Sequence, residues 1–366
     1  MAARGPVRPE AVMAVTVVHV IGGLGRGGAE SVALELCRRI PADEVRQRFL
    51  TLGDGEGVLA PRFRDAGAEV GRCPVRPVLT FAPRLWWRLR ATRPDVVMSH
   101  VSLVSGLVLA VAAAAGVPVR IARLHSEGDG RPATVRRTVQ RALLRFALRL
   151  CATAVLGVTT AALAFSAPPR GDRRYRVLAN GVDTDRFRVS PHLPDHPVFV
   201  HIGRCAPEKN RSFLLPVHAE ARRMRPGTRL VVAGPGGWAD LAPVPPRDPL
   251  IQLTGETDRV EEVLAGASVL LLPSHREGLP GVVLEALAAG VPVLASDLPG
   301  LRDLARQVEG LDLLPLAAGP RAWAAAALRL AAAPAGHRRR IAAAVRRSPF
   351  ALDRNAEDWR RLWTSR

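Results

Sequence analysis

Leu270 to Gly300 reads LLLPSHREGLPGVVLEALAAGVPVLASDLPG. The apolar run Val269 to Leu272 has the length and flanks of a buried strand. A polar loop, Ser274-His275-Arg276-Glu277-Gly278, follows it. From Pro280 to Ala289 the chain has a proline in the first turn and Gly290 just beyond the end, the start and stop signals of a helix. Val291 to Ala295 is a second apolar run of strand length. Strand, helix and strand in this order make a βαβ unit, whose parallel pairing calls for a right-handed crossover.

Chemistry enters at the loop. A helix start presents amides that have no carbonyl partners, together with the positive end of the dipole, here at Gly278 to Gly281. Such a terminus suits a phosphate or a polar sugar. Glu277 in the loop and Glu285 on the helix bracket it. Glu285 lies about one and a half turns into the helix, so both carboxylates can address one cleft. Each carboxylate accepts two hydrogen bonds at once, which fits the vicinal hydroxyls of a ribose or a hexose.

Alone, a pair of glutamates at this spacing fits a surface residue and a helix-face residue of any βαβ unit. With EGLP, the glycines and the VPV strand in the same order, the stretch resembles the E-x7-E signature of glycosyltransferase family 4, a group of retaining enzymes with the GT-B fold. The resemblance implies that Glu277 contacts donor-sugar hydroxyls as a catalytic-site residue and that Glu285 holds the nucleotide ribose. It places Gly278, Leu279 and Gly281 around the same donor.

Length and composition suit a chain of two domains. At 366 residues the chain is long for one domain and comfortable for two, and 48% of it is hydrophobic. No apolar run approaches the roughly 20 residues of a membrane span. Residues 1–10 read as a frayed leader. Ala11 to Ile21 runs straight into a glycine loop with no small-residue cleavage site, so it reads as a first strand and not as a signal peptide. Cys37, Cys73, Cys151 and Cys205 are scattered without C-x2-C spacing, which argues against a zinc site or a disulfide framework and for a reducing cytoplasm. The net charge of +19 points to anionic partners: phosphates, nucleic acid or a membrane surface. Aromatic residues make up only 4% and no basic cluster interleaves with them, which sets nucleic acid aside. Of 52 cationic residues a single one, Lys209, is lysine.

The first strand feeds Gly22-Gly23-Leu24-Gly25-Arg26-Gly27-Gly28-Ala29-Glu30 and then a helix to Arg39. Strand, glycine loop and helix can cradle a phosphate, because glycine lets a ligand approach the backbone closely. Gly23, Gly25 and Gly28 also satisfy G-x-G-x-x-G, and Asp54 ends a following run from Phe49 to Leu52, so a dinucleotide-binding reading stays open here. The loop is closer to the GG-x-x-x-GGAE opening of exopolysaccharide-type family 4 transferases, whose glycines meet the donor diphosphate; that assigns Gly25, Gly27 and Gly28 to the donor. DVVMSH at Asp95–His100, an alanine-rich helix over about 103–115 and a strand over 117–124 lead to His125-Ser126-Glu127-Gly128-Asp129-Gly130. These segments resemble the family's N-terminal domain, and its catalytic-site histidine falls on His125. The relatives often read SHNT here, and Arg123-Leu124-His125-Ser126-Glu127 departs from that pattern on the side where the acceptor would bind. His100 also ends a strand, where open α/β sheets bind ligands.

Arg136, Arg137, Arg141, Arg145 and Arg149 interleave with Val135, Val139, Leu143, Phe146 and Leu150 on a helical stretch. Such a segment can rest on an anionic bilayer. The plainer reading is a solvated basic face over a packed apolar one. Ala179-Asn180-Gly181-Val182-Asp183 resembles the PNGVD segment that closes the family's N-terminal domain. Asp183-Thr184-Asp185 is formally D-x-D, yet it follows an Asn-Gly turn and not an apolar strand, so it reads as part of the approach to a hinge at Ser190–Pro197. After a strand over 198–202, Arg204 and Lys209 form R-x4-K, the family's diphosphate-binding pair. A lone lysine among arginines suits a point charge on a phosphate where a planar fork would not fit. Thr254 falls in the family's base-contacting loop, and Asp353 to Trp363 reads as a last helix.

The expectation is an α/β protein of the GT-B fold: two doubly wound Rossmann-like domains facing across a cleft. Residues 11–187 form the acceptor side, 196–348 the nucleotide-sugar donor side, and 350–366 a helix crossing back to the first domain. Its reaction would move a hexosyl unit from a nucleotide-diphosphate sugar to an acceptor hydroxyl with retention, without a metal or cofactor. The acceptor would belong to exopolysaccharide or lipid-linked glycan assembly on the cytoplasmic face of a membrane. A soluble secondary metabolite is the alternative acceptor. An NAD(P)-dependent oxidoreductase built on the glycine loop leaves Arg204, Lys209, Glu277 and Glu285 unexplained, and a sugar- or lipid-phosphate-binding protein is a third reading.

Overall fold

The computed structural model of the chain describes residues 14–128, 134–192, 194–237, 240–241 and 248–364. The leader over 1–10, the first residues of the expected opening strand, and Asp129-Gly130 lie outside them. Among the described residues thirteen strands form two parallel sheets. The first holds β1 (Val15–Ile21), β2 (Val45–Thr51), β3 (Glu69–Arg72), β4 (Val96–Ser99), β5 (Val119–Leu124), β6 (Ala154–Gly157) and β7 (Tyr175–Val177) in the order β3-β2-β1-β4-β5-β6-β7. The second holds β8 (Val198–Ile202), β9 (Arg229–Ala233), β10 (Ile251–Gly255), β11 (Val269–Leu272), β12 (Val293–Ser296) and β13 (Leu311–Leu314) in the order β10-β9-β8-β11-β12-β13. In each sheet the order runs outward from its first strand and then reverses, which creates a switch point between β1 and β4 and another between β8 and β11. Open α/β sheets bind ligands beyond the carboxyl ends of the strands at such points.

The βαβ unit read from the sequence is present. β11 pairs with β8 on one side (Val269 with Phe199) and with β12 on the other (Leu270 with Val293). Alternate residues enter different cores: Leu270 and Leu272 pack with Val283 and Leu287, while Val269 and Leu271 pack with Phe199 and Trp323. A strand buried on both faces reads as a continuous apolar run because helices cover both sides of a parallel sheet. The intervening helix is Gly281–Ala288, preceded by Pro280 in extended conformation. Gly290 closes it at φ +70, where an added Cβ would meet the Arg338 carbonyl at 2.6 Å. β12 starts two residues later than the apolar run does. The Val291 amide is spent on the Ala286 carbonyl in the helix's closing turn (2.8 Å), so it cannot join the ladder.

The chain divides into two compact units. Described residues within 1–122, 146–154 and 358–366 form one, and those within 123–145 and 155–357 the other. In the first, Trp363 of the helix Leu352–Thr364 stands edge-on to His19 of β1, with ring centres 5.6 Å apart, and Arg360 pairs with Glu44 at 2.8 Å. In the second, the 6-stranded sheet carries both apolar clusters described above.

The helix Val135–Cys151 corrects the plainer reading of its sequence. Its packed side carries Leu148, which is fully buried, with Arg137, Arg141 and Arg145 half-buried along the same side. Arg145 donates to the Phe165 carbonyl (3.1 and 2.9 Å), and Arg141 and Arg145 lie over the Phe165 ring. Val135, Val139, Leu143, Phe146 and Leu150 are exposed instead.

Candidate active site

Two loops leave the switch point of the second sheet, one after β8 and one after β11, and a backbone and a side-chain hydrogen bond stitch them together. The His275 amide donates to the Glu208 carbonyl at 2.8 Å, and Asn210 Nδ2 donates to the Pro273 carbonyl at 3.0 Å. Asn210 sits at φ +50, a left-handed conformation that asparagine tolerates better than most residues. The turn throws Lys209 toward the second loop, where its Nζ reaches Glu277 Oε1 at 2.7 Å and Oε2 at 3.0 Å. Ser274 Oγ donates to Glu277 Oε1 at 2.6 Å. Glu277 is buried and Lys209 nearly so. A buried carboxylate needs this satisfaction, and the lysine charge with the serine hydroxyl supplies it.

The other predicted residues of the unit are distributed unevenly around this pair. Gly278 and Leu279 follow it directly, and no backbone carbonyl of the described residues accepts from either amide. Leu279 buries its side chain in the core, so its amide is what it can offer a ligand. Glu285, half-buried on the helix, turns back toward the helix start, its Oε1 3.8 Å from where a Cβ on Gly281 would stand. Arg204 is exposed and pairs with Glu208 at 2.6 Å; it is not drawn to Glu277. Thr254 is exposed on β10, the edge strand two places from β8, and no described contact brings it to the pair.

His125 follows β5, and its carbonyl would stand 2.1 Å from a Cβ at Gly278. Two backbones therefore touch here, which only glycine permits. Burial, and secondly the Arg123 guanidinium, push the His125 imidazole down to about 3, so the ring is neutral at physiological pH. Arg123 is itself buried and donates to Asn180 Oδ1 at 2.6 Å, which gives the Asn-Gly turn a structural task. Asp183 of the formal D-x-D accepts from the amides of Asp185 and Arg186 at 2.9 and 3.1 Å, the bonding of a turn and not of a chelate. Among the described residues no group of three His, Cys, Asp or Glu side chains could hold a metal ion.

Two residues escaped the sequence reading. Ser274 stands three before Glu277, an S-x-x-E spacing that could have marked it. Glu127 accepts from the Gly300 amide at 3.0 Å across 173 positions of chain, and nothing local announces such a pairing. Burial raises the Glu127 carboxyl above its ordinary value; the Gly300 amide opposes this, Asp303 and Glu277 add to it, and Arg276 opposes it.

In the first unit the glycine loop stands at the corresponding switch point, after β1, and opens the helix Gly28–Arg39. A Cβ on Gly23, Gly25 or Gly28 would meet no atom within 4 Å, and on Gly27 only the flexible Glu30 carboxylate. Nothing in the chain's own packing asks for glycine at Gly25 or Gly28.

A family model described as "Glycosyltransferase Family 4" matches residues 26–186, and one described as "Glycosyl transferases group 1" matches 196–333. A GDP-mannose-dependent alpha-mannosyltransferase of Mycobacterium tuberculosis (strain CDC 1551 / Oshkosh) is 31% identical over 311 residues, covering 79% of this chain and 76% of the relative. The chain belongs to glycosyltransferase family 4. Glycosyltransferase EpsF of Bacillus subtilis (strain 168) is 26% identical over 305 residues, 77% of this chain and 79% of EpsF. Anabaena HepE, solved in complex with UDP, superposes with a TM-score of 0.77 at 14% identity, covering 96% of this chain and all of HepE, so this family 4 protein has the GT-B fold. The oxidoreductase reading of G-x-G-x-x-G gives way at this point: the same loop opens the first domain of a glycosyltransferase.

Proposed function

We propose that this glycosyltransferase moves a hexosyl unit from a nucleotide-diphosphate sugar to an acceptor hydroxyl with retention, in exopolysaccharide or lipid-linked glycan assembly. The observation that carries the reading is the Lys209–Glu277–Ser274 cluster at the second switch point, beside the amides of Gly278 and Leu279. It joins a phosphate-seeking cation and a sugar-seeking carboxylate in one place. Support comes from relatives: HepE was solved with UDP-glucose, the mycobacterial relative is named for GDP-mannose, and CapH of Staphylococcus aureus for capsular polysaccharide biosynthesis.

In this reading Arg204 and Lys209 take the donor diphosphate. Glu277 accepts from the sugar hydroxyls, Glu285 from the ribose, and Gly278, Leu279 and Gly281 lie along the donor, with Thr254 toward the base. His125 stands at the sugar as a neutral group, so it orients by hydrogen bonding and adds no charge. The acceptor oxygen attacks the anomeric carbon on the face the diphosphate leaves; the carbon–oxygen bond to phosphate breaks, and the acceptor proton passes to the departing phosphate oxygen. Stabilisation of that oxygen by fixed cations and amides supplies the catalysis, with no covalent nucleophile and no metal. The donor half spans 196–348 and the acceptor half 11–187.

The test is a panel of labelled nucleotide sugars with and without a fluorescent glycan acceptor, each run with excess EDTA. Transfer from at least one donor, undiminished by chelation and with the anomeric configuration kept, is the expected result. Binding of a nucleotide sugar with neither transfer nor hydrolysis would leave a sugar-phosphate-binding protein as the better description.

A further inference from the structure

The helix Val135–Cys151 is built inside out for a protein that meets only water. At about 100° per residue, Val135, Val139, Leu143, Phe146 and Leu150 fall within an arc of about 80°. Their exposures are 84%, 53%, 64%, 60% and 66%. The arginines expected to face solvent, Arg137, Arg141 and Arg145, lie half-buried on the opposite arc, and Arg141 and Arg145 are engaged there against Phe165. Two arginines, Arg136 and Arg149, are exposed at the two margins of the apolar stripe. An exposed aliphatic and aromatic stripe edged by cations is the pattern of a helix lying in a membrane interface, its apolar side among acyl chains and its arginines at the phosphates.

We propose that this stripe docks the protein on an anionic lipid surface, with Val139, Leu143 and Phe146 inserted and Arg136 and Arg149 at the headgroups. Charge decides between lipid and a second copy of the chain. A dimer through this face would bring together two molecules of net charge +19 with the same arginines along the seam, whereas an anionic bilayer neutralises them. Among the described residues no helix is long and apolar enough to cross a membrane, so the contact is interfacial. The proposal does not depend on which donor or acceptor the enzyme uses.

The experiment is co-sedimentation of the whole chain with vesicles of phosphatidylcholine alone and with vesicles carrying about one third phosphatidylglycerol. Wild type is expected to pellet with the second and not the first. Leu143→Ser with Phe146→Ser should weaken that binding about tenfold, and Arg136→Glu with Arg149→Glu should weaken it comparably. All four positions are exposed, so the melting temperature should not move. Added salt should diminish wild-type binding without abolishing it, since the apolar share is not screened. Wild type that ignores anionic vesicles at low salt overturns the proposal. So do serine variants that bind as wild type does, and so does a wild-type dimer that Leu143→Ser with Phe146→Ser converts to monomer while vesicles are ignored.

Discussion

At Lys209 one ion pair sets two expectations that pull apart. If its charge serves the donor diphosphate, Lys209→Ala lowers transfer at least about tenfold, and Lys209→Arg restores only part, since a planar fork does not replace a point charge in a site shaped for one. The same substitution strips the buried Glu277 of its cation and leaves Ser274 as its remaining bonded partner. Folding is therefore touched as well, by on the order of 2 kcal/mol, below the cost of breaking a fully buried pair. Urea unfolding separates the contributions. Glu277→Gln combined with Lys209→Ala should recover stability while activity stays low. A double variant as unstable as Lys209→Ala alone would show that the pair is not what the single substitution breaks.

Among the elements, the two glycine-bearing loops answer differently to the same change. At Gly278 an added Cβ collides with the His125 carbonyl, backbone against backbone, so Gly278→Ala should part the two loops and lower both the melting temperature and kcat/KM. At Gly25 the space is open, so Gly25→Ala should leave the melting temperature unchanged and raise the KM for the nucleotide sugar. Thermal unfolding with and without nucleotide distinguishes the two, and equal destabilisation would remove the ligand from the explanation of Gly25. The helices and strands around these loops were legible in the chain because apolar runs of strand length alternate with proline and glycine punctuation. The Lys209 and Glu277 positions were legible separately. Their pairing across 68 residues was not, because periodicity speaks of faces and not of partners. The helix Val135–Cys151 shows the limit most clearly: a repeat of 3.6 announces two faces but not which one packs, and Phe165 gave the inward side to arginine.

The molecule as a whole carries its histidines in a way that shapes its acid tolerance. His125, His201 and His218 are all held below the ordinary imidazole value, mainly by burial, the first two at about 3 and about 4. His201 is neutral and its Nδ1 faces the Leu271 carbonyl at 2.9 Å, so Nδ1 carries the proton. Rings whose folded pKa is depressed bind fewer protons in the native state than in the unfolded chain, so stability rises with pH across the interval between the two values. Their contribution is whole above about pH 6.5 and is lost progressively as pH falls toward 4. The urea midpoint should therefore decline between about pH 6.5 and 5, above the range in which ordinary carboxylates titrate. A flat midpoint there would mean that these rings are not buried neutral.

The solitary lysine also makes the protein unusually easy to read by its own chemistry. With one side-chain amine in 366 residues, and that amine held at 2.7 Å from a buried carboxylate, amine-acylating reagents have a single side-chain target, in the site proposed here for the donor. Acylation at Lys209 and its slowing by a bound nucleotide would meter occupancy without any engineered probe. By the same token, immobilising this protein through its lysine chemistry would tether it at Lys209 alone among its side chains.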